Sequence, residues 1–319
     1  MKTKRAVLVK PGLFEIVQED IFPADNEVLV KVAACGLCNW ELNHWKGIIG
    51  ECPQTLGHEW SGVVVDTGKS VTKIKSGDTI TIIPDRLAGF AEYAVVQEEN
   101  CYVLDGSVNL QHALGEPLKC VMTVLGATGV KAGDYGVIMG CGPMGLWCIQ
   151  ALSGHMLSAL IAIDTNDYRL ELAKKYGATH TINPKKENAV KYVEELTKGR
   201  MADFLIEGTG SPVVLESGID YLKQGGNAHL VVMSSHEEPC REFDFRKALA
   251  KGISMHFAFP SYSASHEDDM RRAAAFINNG VFHSEDIITH RFKLEDINSA
   301  FKALESKPEG YIKGIVIPD

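Results

Sequence analysis

Apolar and polar positions along this chain fall into two regimes. Up to about residue 102 the apolar residues come in short, β-branched runs. Residues 6–9, 28–33, 62–65, 79–83 and 92–96 all favour strands. Turn signals such as Pro11-Gly12, Gly68-Lys69 and Ser76-Gly77-Asp78 separate them. The pattern predicts an all-β module, a distorted barrel.

After about Asp105 the period changes. Residues 111–130 read as helix and 135–139 as a buried strand. Apolar strands at 160–163, 179–182, 203–206 and 228–233 then alternate with helical stretches, clearest at 166–176 and 188–198. Such alternation implies an α/β fold with a doubly wound parallel sheet. From His266 the chain predicts a helix over 267–279, another over 294–304 and a terminal strand over 312–317. The expected organisation is a β-rich domain over 1–117, completed by a tail over 256–319 that returns to it, with the sheet over 118–255 between them. The apolar, β-rich tail would also suit a sheet-edge contact between subunits.

The strand ending at Met139 runs into Gly140-Cys141-Gly142-Pro143-Met144-Gly145 and then an apolar helix. A glycine loop between strand and helix, with an acid at the end of the next strand, is the dinucleotide fingerprint. Gly140 permits the tight turn, Gly142 lets backbone approach a pyrophosphate, and Gly145 lets helix and strand pack closely. The helix amino terminus then stabilises the phosphate charge. Asp164 is the acid. Its carboxylate can accept the ribose hydroxyls and would repel a 2′-phosphate, which favours NAD, while Arg169 nearby is the group that could accommodate such a phosphate. The cofactor is expected outside the carboxyl ends of the strands.

Composition narrows the partners. The 319 residues are 45% hydrophobic and 23% charged, which is ordinary globular usage. A net charge of −9 lacks the electrostatic footprint of a nucleic-acid binder. No stretch approaches the roughly 18 apolar residues of a membrane helix. The first strand follows the amino terminus without a signal peptide's apolar core, and eight scattered cysteines lack framework spacing. Reduced thiols in a cytoplasm are the expectation.

One further stretch carries chemistry. Gly57-His58-Glu59 precedes a β-rich run, and Cys38 lies upstream. Thiolate, imidazole and carboxylate are ordinary zinc ligands. Cys35 and Cys38 form a single C-x-x-C without a second pair, so a zinc knuckle is not expected.

These segments together resemble the zinc-dependent medium-chain dehydrogenases, nearest the sorbitol and threonine dehydrogenase branch. The signature G-H-E-x2-G-x5-G-x2-V is met by Gly57, His58, Glu59, Gly62, Gly68 and Val71. Gly36-Leu-Cys38-Asn-Trp-Glu41-Leu resembles the family's G-[IV]-C-G-[ST]-D-[LV], Glu116-Pro-Leu its E-P-L, and residues 294–301 its closing segment. The resemblance spans essentially the whole chain. It implies a GroES-like catalytic domain, a Rossmann domain binding NAD, and hydride transfer with a secondary alcohol or its ketone. A polyol, cyclitol or amino-sugar-like alcohol is the implied substrate class. Cys38 and His58 would be zinc ligands, and Glu59 and Glu116 the remaining candidates, one direct and the other through water or by exchange. Glu41 would take the place of the family's Asp in orienting His58. The family is commonly dimeric or tetrameric.

Two departures from the pattern matter. The segment from Ile83 to Tyr93 has no room for the four-cysteine lobe of many members, so one zinc per chain and no structural zinc is expected. The Ser or Thr that relays a proton in the family is replaced by Trp40, whose indole donates and cannot accept. His44, or a water on Glu41, is the candidate stand-in. Rival readings are a zinc-free reductase of quinones or enones on the same fold, and a non-catalytic NAD-binding protein.

Overall fold

The computed structural model describes residues 1–233 and 243–318; Cys240 lies outside them. The chain opens with β1 (Lys2–Lys10), β2 (Leu13–Asp20), β3 (Glu27–Gly36), helix α1 (Asn39–Trp45), β4 (Gln54–Thr55), β5 (Trp60–Thr67), β6 (Thr79–Ile82), β7 (Tyr93–Gln97) and β8 (Cys101–Leu104). Helix α2 (Gly115–Thr128) follows. An alternating series comes next: β9 (Tyr135–Met139), α3 (Pro143–Leu152), β10 (Ala159–Ile163), α4 (Asp167–Lys175), β11 (His180–Ile182) and α5 (Ala189–Leu196). It continues with β12 (Phe204–Glu207), α6 (Pro212–Tyr221), β13 (Ala228–Val232), α7 (Phe245–Lys251) and β14 (Ile253–Phe257). The last elements are α8 (His266–Asn278), β15 (Ile288–Lys293), α9 (Ile297–Ser306) and β16 (Lys313–Ile317).

Two compact units result. One holds Met1–Lys119 with His266–Asp319, the other Cys120–Ser265. The second unit runs beyond the expected boundary at 255, because β14 completes its sheet beside β13.

The first unit contains a three-stranded sheet, β2-β1-β4, and a seven-stranded one ordered β15-β16-β3-β5-β6-β8 with β7 on β3. Strand β3 is buried along nearly its whole length because β5, β7 and β16 all pair with it. That explains its near-continuous apolar sequence. Helix α9 returns the tail to this core. Its Ile297, Ala300, Phe301 and Leu304, spaced three or four apart, are all buried. Phe301 lies 4.9 Å from Phe14 and 5.7 Å from Phe90 between ring centroids. Truncating a ring so placed costs about 3 kcal/mol or more.

Two expectations need correction here. The stretch to residue 102 is not purely β: α1 interrupts it and carries Trp40, Glu41 and His44. At seven residues, with cysteine in place of a preferred capping residue, it leaves almost no periodic signal. The helix expected over 111–130 starts only at Gly115, after a short 3-10 turn at Leu110–His112. Strand β16 lies inside its sheet, between β15 and β3, and the outer strand of the tail is β15.

The second unit is a six-stranded sheet of order β11-β10-β9-β12-β13-β14, every adjacent pair parallel. This is the doubly wound order, with the switch between β9 and β12. Helix α3 begins with Pro143 at its first turn, where a missing N–H costs nothing, and is buried from Gly145 to Leu152. No helix among the described residues is long and apolar enough to cross a membrane.

Candidate active site

Strand register assembles the first cluster. Cys35 on β3 pairs antiparallel with Trp60 on β5. The chain beyond β3 and the chain before β5 therefore lie side by side, and Cys38 comes opposite His58 and Glu59. Their ligand atoms all fall within 4.8 Å of one another. A close backbone contact is needed to do this. Gly36 N donates to Glu59 O at 2.7 Å, and a Cβ on Gly36 would stand 2.0 Å from Glu59 Oε2. Only glycine fits there.

Glu41 sets the direction of the imidazole. It is fully buried, and its Oε1 accepts from Gly57 N at 2.6 Å and His58 N at 3.1 Å, and pairs with His58 Nδ1 at 2.9 Å. With Nδ1 so occupied, Nε2 turns to the cluster, 4.0 Å from Glu59 Oε1 and 3.8 Å from Glu116 Oε2. The extra methylene of Glu over Asp still lets the carboxylate reach the ring nitrogen. Burial lowers the His58 pKa, but the Glu41 charge and hydrogen bonds to Cys38 and Glu41 outweigh it and hold it well above the ordinary value. Burial and the Glu59 carboxylate raise the Cys38 thiol, with His58 and Lys313 acting the other way.

Two cations that the motif analysis missed complete the arrangement. Lys313, 6% exposed, places Nζ 2.5 Å from Glu59 Oε2. Lys119, 4% exposed, places its Nζ 3.2 Å from Glu116 Oε1. Each carboxylate candidate thus has its own buried ammonium, which offsets the charge of two acids gathered in one place. A signal was available: each lysine is a lone charge in an apolar run, 311–317 and 117–122, and lysine is rarely buried without a partner.

Trp40 and His44 stand beside His58 on α1. The Trp40 ring meets His58 edge-on at 5.4 Å and His44 at 4.4 Å. His44 is buried against Trp40 rather than against a cluster ligand, and burial pushes its pKa down. Cys35 is wholly buried, and desolvation raises its thiol well above the usual range, so it is an inert core residue. The seven described cysteines are all free thiols.

The second unit carries the glycine loop between β9 and α3. Gly140 has φ +93, and a Cβ on Gly145 would lie 2.0 Å from Gly140 O, so both positions require glycine. Asp164 follows β10, and its carboxylate ties the loop down. Oδ2 accepts from Cys141 N at 2.7 Å and Oδ1 from Asn166 N at 2.8 Å. Each oxygen keeps a second lone pair for a ribose hydroxyl. Arg169 lies one turn into α4, whose first turn is capped by Asn166. Pro143 and Met144 open α3 below the loop.

Comparison with known proteins bears on the family and the fold. The family described as zinc-binding dehydrogenase matches residues 143–279, and the alcohol dehydrogenase GroES-like domain matches residues 24–106. An L-threonine 3-dehydrogenase of Bacillus velezensis is 32% identical over 92% of this chain and 92% of its own length. The chain belongs to the zinc-binding medium-chain alcohol dehydrogenase family. It is also 31% identical to a D-xylulose reductase A of Aspergillus niger, over 88% of this chain and 87% of that one. The solved 2R,3R-butanediol dehydrogenase of Bacillus subtilis superposes with a TM-score of 0.85 at 25% identity, covering 99% of this chain and all of that one. This zinc-binding dehydrogenase family member is therefore an oxidoreductase of the alcohol and polyol dehydrogenase type, with a GroES-like domain and a Rossmann domain for NAD(P).

Proposed function

We propose that this protein is a zinc-dependent, NAD-linked dehydrogenase of a secondary alcohol, a polyol, cyclitol or amino-sugar-like compound, or of the matching ketone. One observation carries the reading: Cys38, His58 and Glu59 converge within 4.8 Å while Glu41 occupies His58 Nδ1 and leaves Nε2 to the cluster. A thiol, an imidazole and a carboxylate fit the donor set of a catalytic zinc, which keeps one position open. Zinc bound there supplies Lewis-acid polarisation of a hydroxyl.

The protein's own groups do the rest. Glu41 holds the imidazole in one tautomer, Lys313 and Lys119 balance Glu59 and Glu116, and Glu59 is the third member of the cluster while Glu116 Oε2, 3.8 Å from His58 Nε2, is the alternative. One zinc per chain is the expectation, since residues 83–93 carry no cysteine lobe. NAD is favoured over NADP because the Asp164 carboxylate stands at the end of β10, where a 2′-phosphate would meet like charge. Relatives named for threonine, xylulose and butanediol support a small hydroxylated substrate.

We also infer a homodimer or homotetramer in the cytoplasm. Strand β14 is the last of its sheet among the described residues, and its Phe257 is 63% exposed, an edge that a second copy can extend. Free thiols suit a reducing compartment.

The deciding experiment is zinc content of protein purified without added metal, with Cys38→Ala as control, followed by NADH formation over a panel of polyols. About one zinc per chain, lost in the variant, is the expected result. Metal-free wild-type protein that still binds NADH would move the reading to a zinc-free quinone or enone reductase, or to a non-catalytic NAD binder.

A further inference from the structure

Of the four tryptophans, Trp40 alone is substantially exposed. Its indole is 38% exposed, against 8% for Trp45, 2% for Trp60 and 0% for Trp147. It leaves α1 two residues after Cys38. Edge contacts hold the ring in place, with His58 at 5.4 Å and 85° and His44 at 4.4 Å and 67°. A rigid aromatic side chain already held this way loses little freedom when a ligand lies on it.

Around His58, which this flat apolar ring touches, stand the ionic pairs of Glu59 with Lys313 and of Glu116 with Lys119. An apolar ring face thus neighbours a charged cluster. A saturated polyol ring has the same division, with C–H bonds on its faces and hydroxyls around its edge. An open-chain polyol presents hydroxyls on every side and must freeze several torsions to bind. An aromatic alcohol matches the wall but brings only one hydroxyl to the polar groups.

We propose that Trp40 is the specificity-determining residue of this site, the platform on which the ring of a cyclic polyol or sugar lies while one ring hydroxyl reaches toward Cys38, His58 and Glu59. The inference rests on reading that cluster as the zinc site of a dehydrogenase. A ligand lying on the ring changes Trp40 emission, and Trp40→Phe, which keeps the three buried tryptophans, supplies the background to subtract.

The test uses the zinc-loaded full chain with NADH bound, titrated with cyclitols and methyl pyranosides, with open-chain hexitols, and with benzyl alcohol. A saturable change in emission is expected from the ring polyols, at concentrations about tenfold or more below those the hexitols need. Calorimetry should show Trp40→Ala losing that preference and Trp40→Phe restoring much of it, with zinc content and NADH affinity unchanged in both. Steady-state kinetics should show the kcat/KM ratio of ring to open-chain substrate falling in Trp40→Ala. A wild-type chain that prefers hexitols or benzyl alcohol overturns the proposal, as does a ratio that Trp40→Ala leaves untouched. A wild-type chain without zinc or without NADH binding overturns the underlying reading as well, and these two measurements separate one failure from the other.

Discussion

Lys313 and Glu59 come from opposite ends of the chain and meet in a buried ion pair, Nζ to Oε2 at 2.5 Å. The contact follows from sheet register. Strand β16 runs antiparallel to β3, with Ile315 opposite Gly36, and Leu37 N donates to Gly314 O at 3.0 Å. Lys313, at the start of β16, is thereby carried to the cluster formed where β3 ends. Burial alone would lower the ammonium's pKa, but Glu59 and Cys38 hold it raised, so it stays charged.

Removing one partner of a buried pair leaves the other uncompensated, which typically costs more than the pair itself contributes. Lys313→Met should destabilise the metal-free protein by about 3 kcal/mol, and adding Glu59→Gln should recover a large part of that. Urea denaturation of the wild type, both single variants and the double variant checks this. Additive losses would mean that the two side chains do not depend on one another.

Three groups, Gly57 N, His58 N and His58 Nδ1, converge on Glu41 Oε1. Glu41→Ala should weaken zinc binding about tenfold to a hundredfold by freeing the His58 ring, while Cys38, His58 and Glu59 remain in the chain. Competition against a chromogenic chelator measures this. An unchanged zinc affinity would show that packing alone orients the imidazole.

Acid sensitivity of the second unit should centre on Asp203. Its carboxylate is buried, accepts from Tyr135 N at 2.9 Å, and pairs with Arg200 at 2.6 Å and Lys223 at 2.7 Å. Desolvation raises its pKa, but these partners together outweigh it and hold it below the ordinary value of 3.8. A depressed folded-state pKa contributes stability that is present above pH 3.8 and lost as pH falls through the lower folded value. Asp203→Asn should cost about 2 kcal/mol at neutral pH, and its deficit against the wild type should shrink below that pH. Melting curves from neutral to acid pH test the sign as well as the size.

Cofactor choice should turn on Asp164. Asp164→Asn keeps an oxygen for Cys141 N but removes the charge that would oppose a 2′-phosphate. The ratio of kcat/KM for NADP over NAD should rise by on the order of tenfold, equivalent to about 1.4 kcal/mol. Arg169→Ala in that background should reverse part of the gain if the guanidinium is what receives the phosphate.

Local pattern carried a large share of this protein. The alternation after residue 105 determined the parallel sheet, because each strand and helix declares itself by its own period. The loop from Gly140 to Gly145 and its partner Asp164 were legible for the same reason: turn, close approach and helix start all lie within one βαβ unit. Spacing also marked Cys38, His58 and Glu59, which one strand pairing brings together.

Tertiary structure alone decided what surrounds them. No period announces a seven-residue helix, so the faces on which Trp40, Glu41 and His44 stand emerged only with α1 in place. Nor does any spacing link Lys313 to Glu59 or rank β16 as an inner strand. Those relations depend on the register of strands that are neighbours in space and far apart in sequence. A lone lysine in an apolar run says that a buried charge needs a partner; which carboxylate supplies it is settled by where the sheet sets the two backbones side by side.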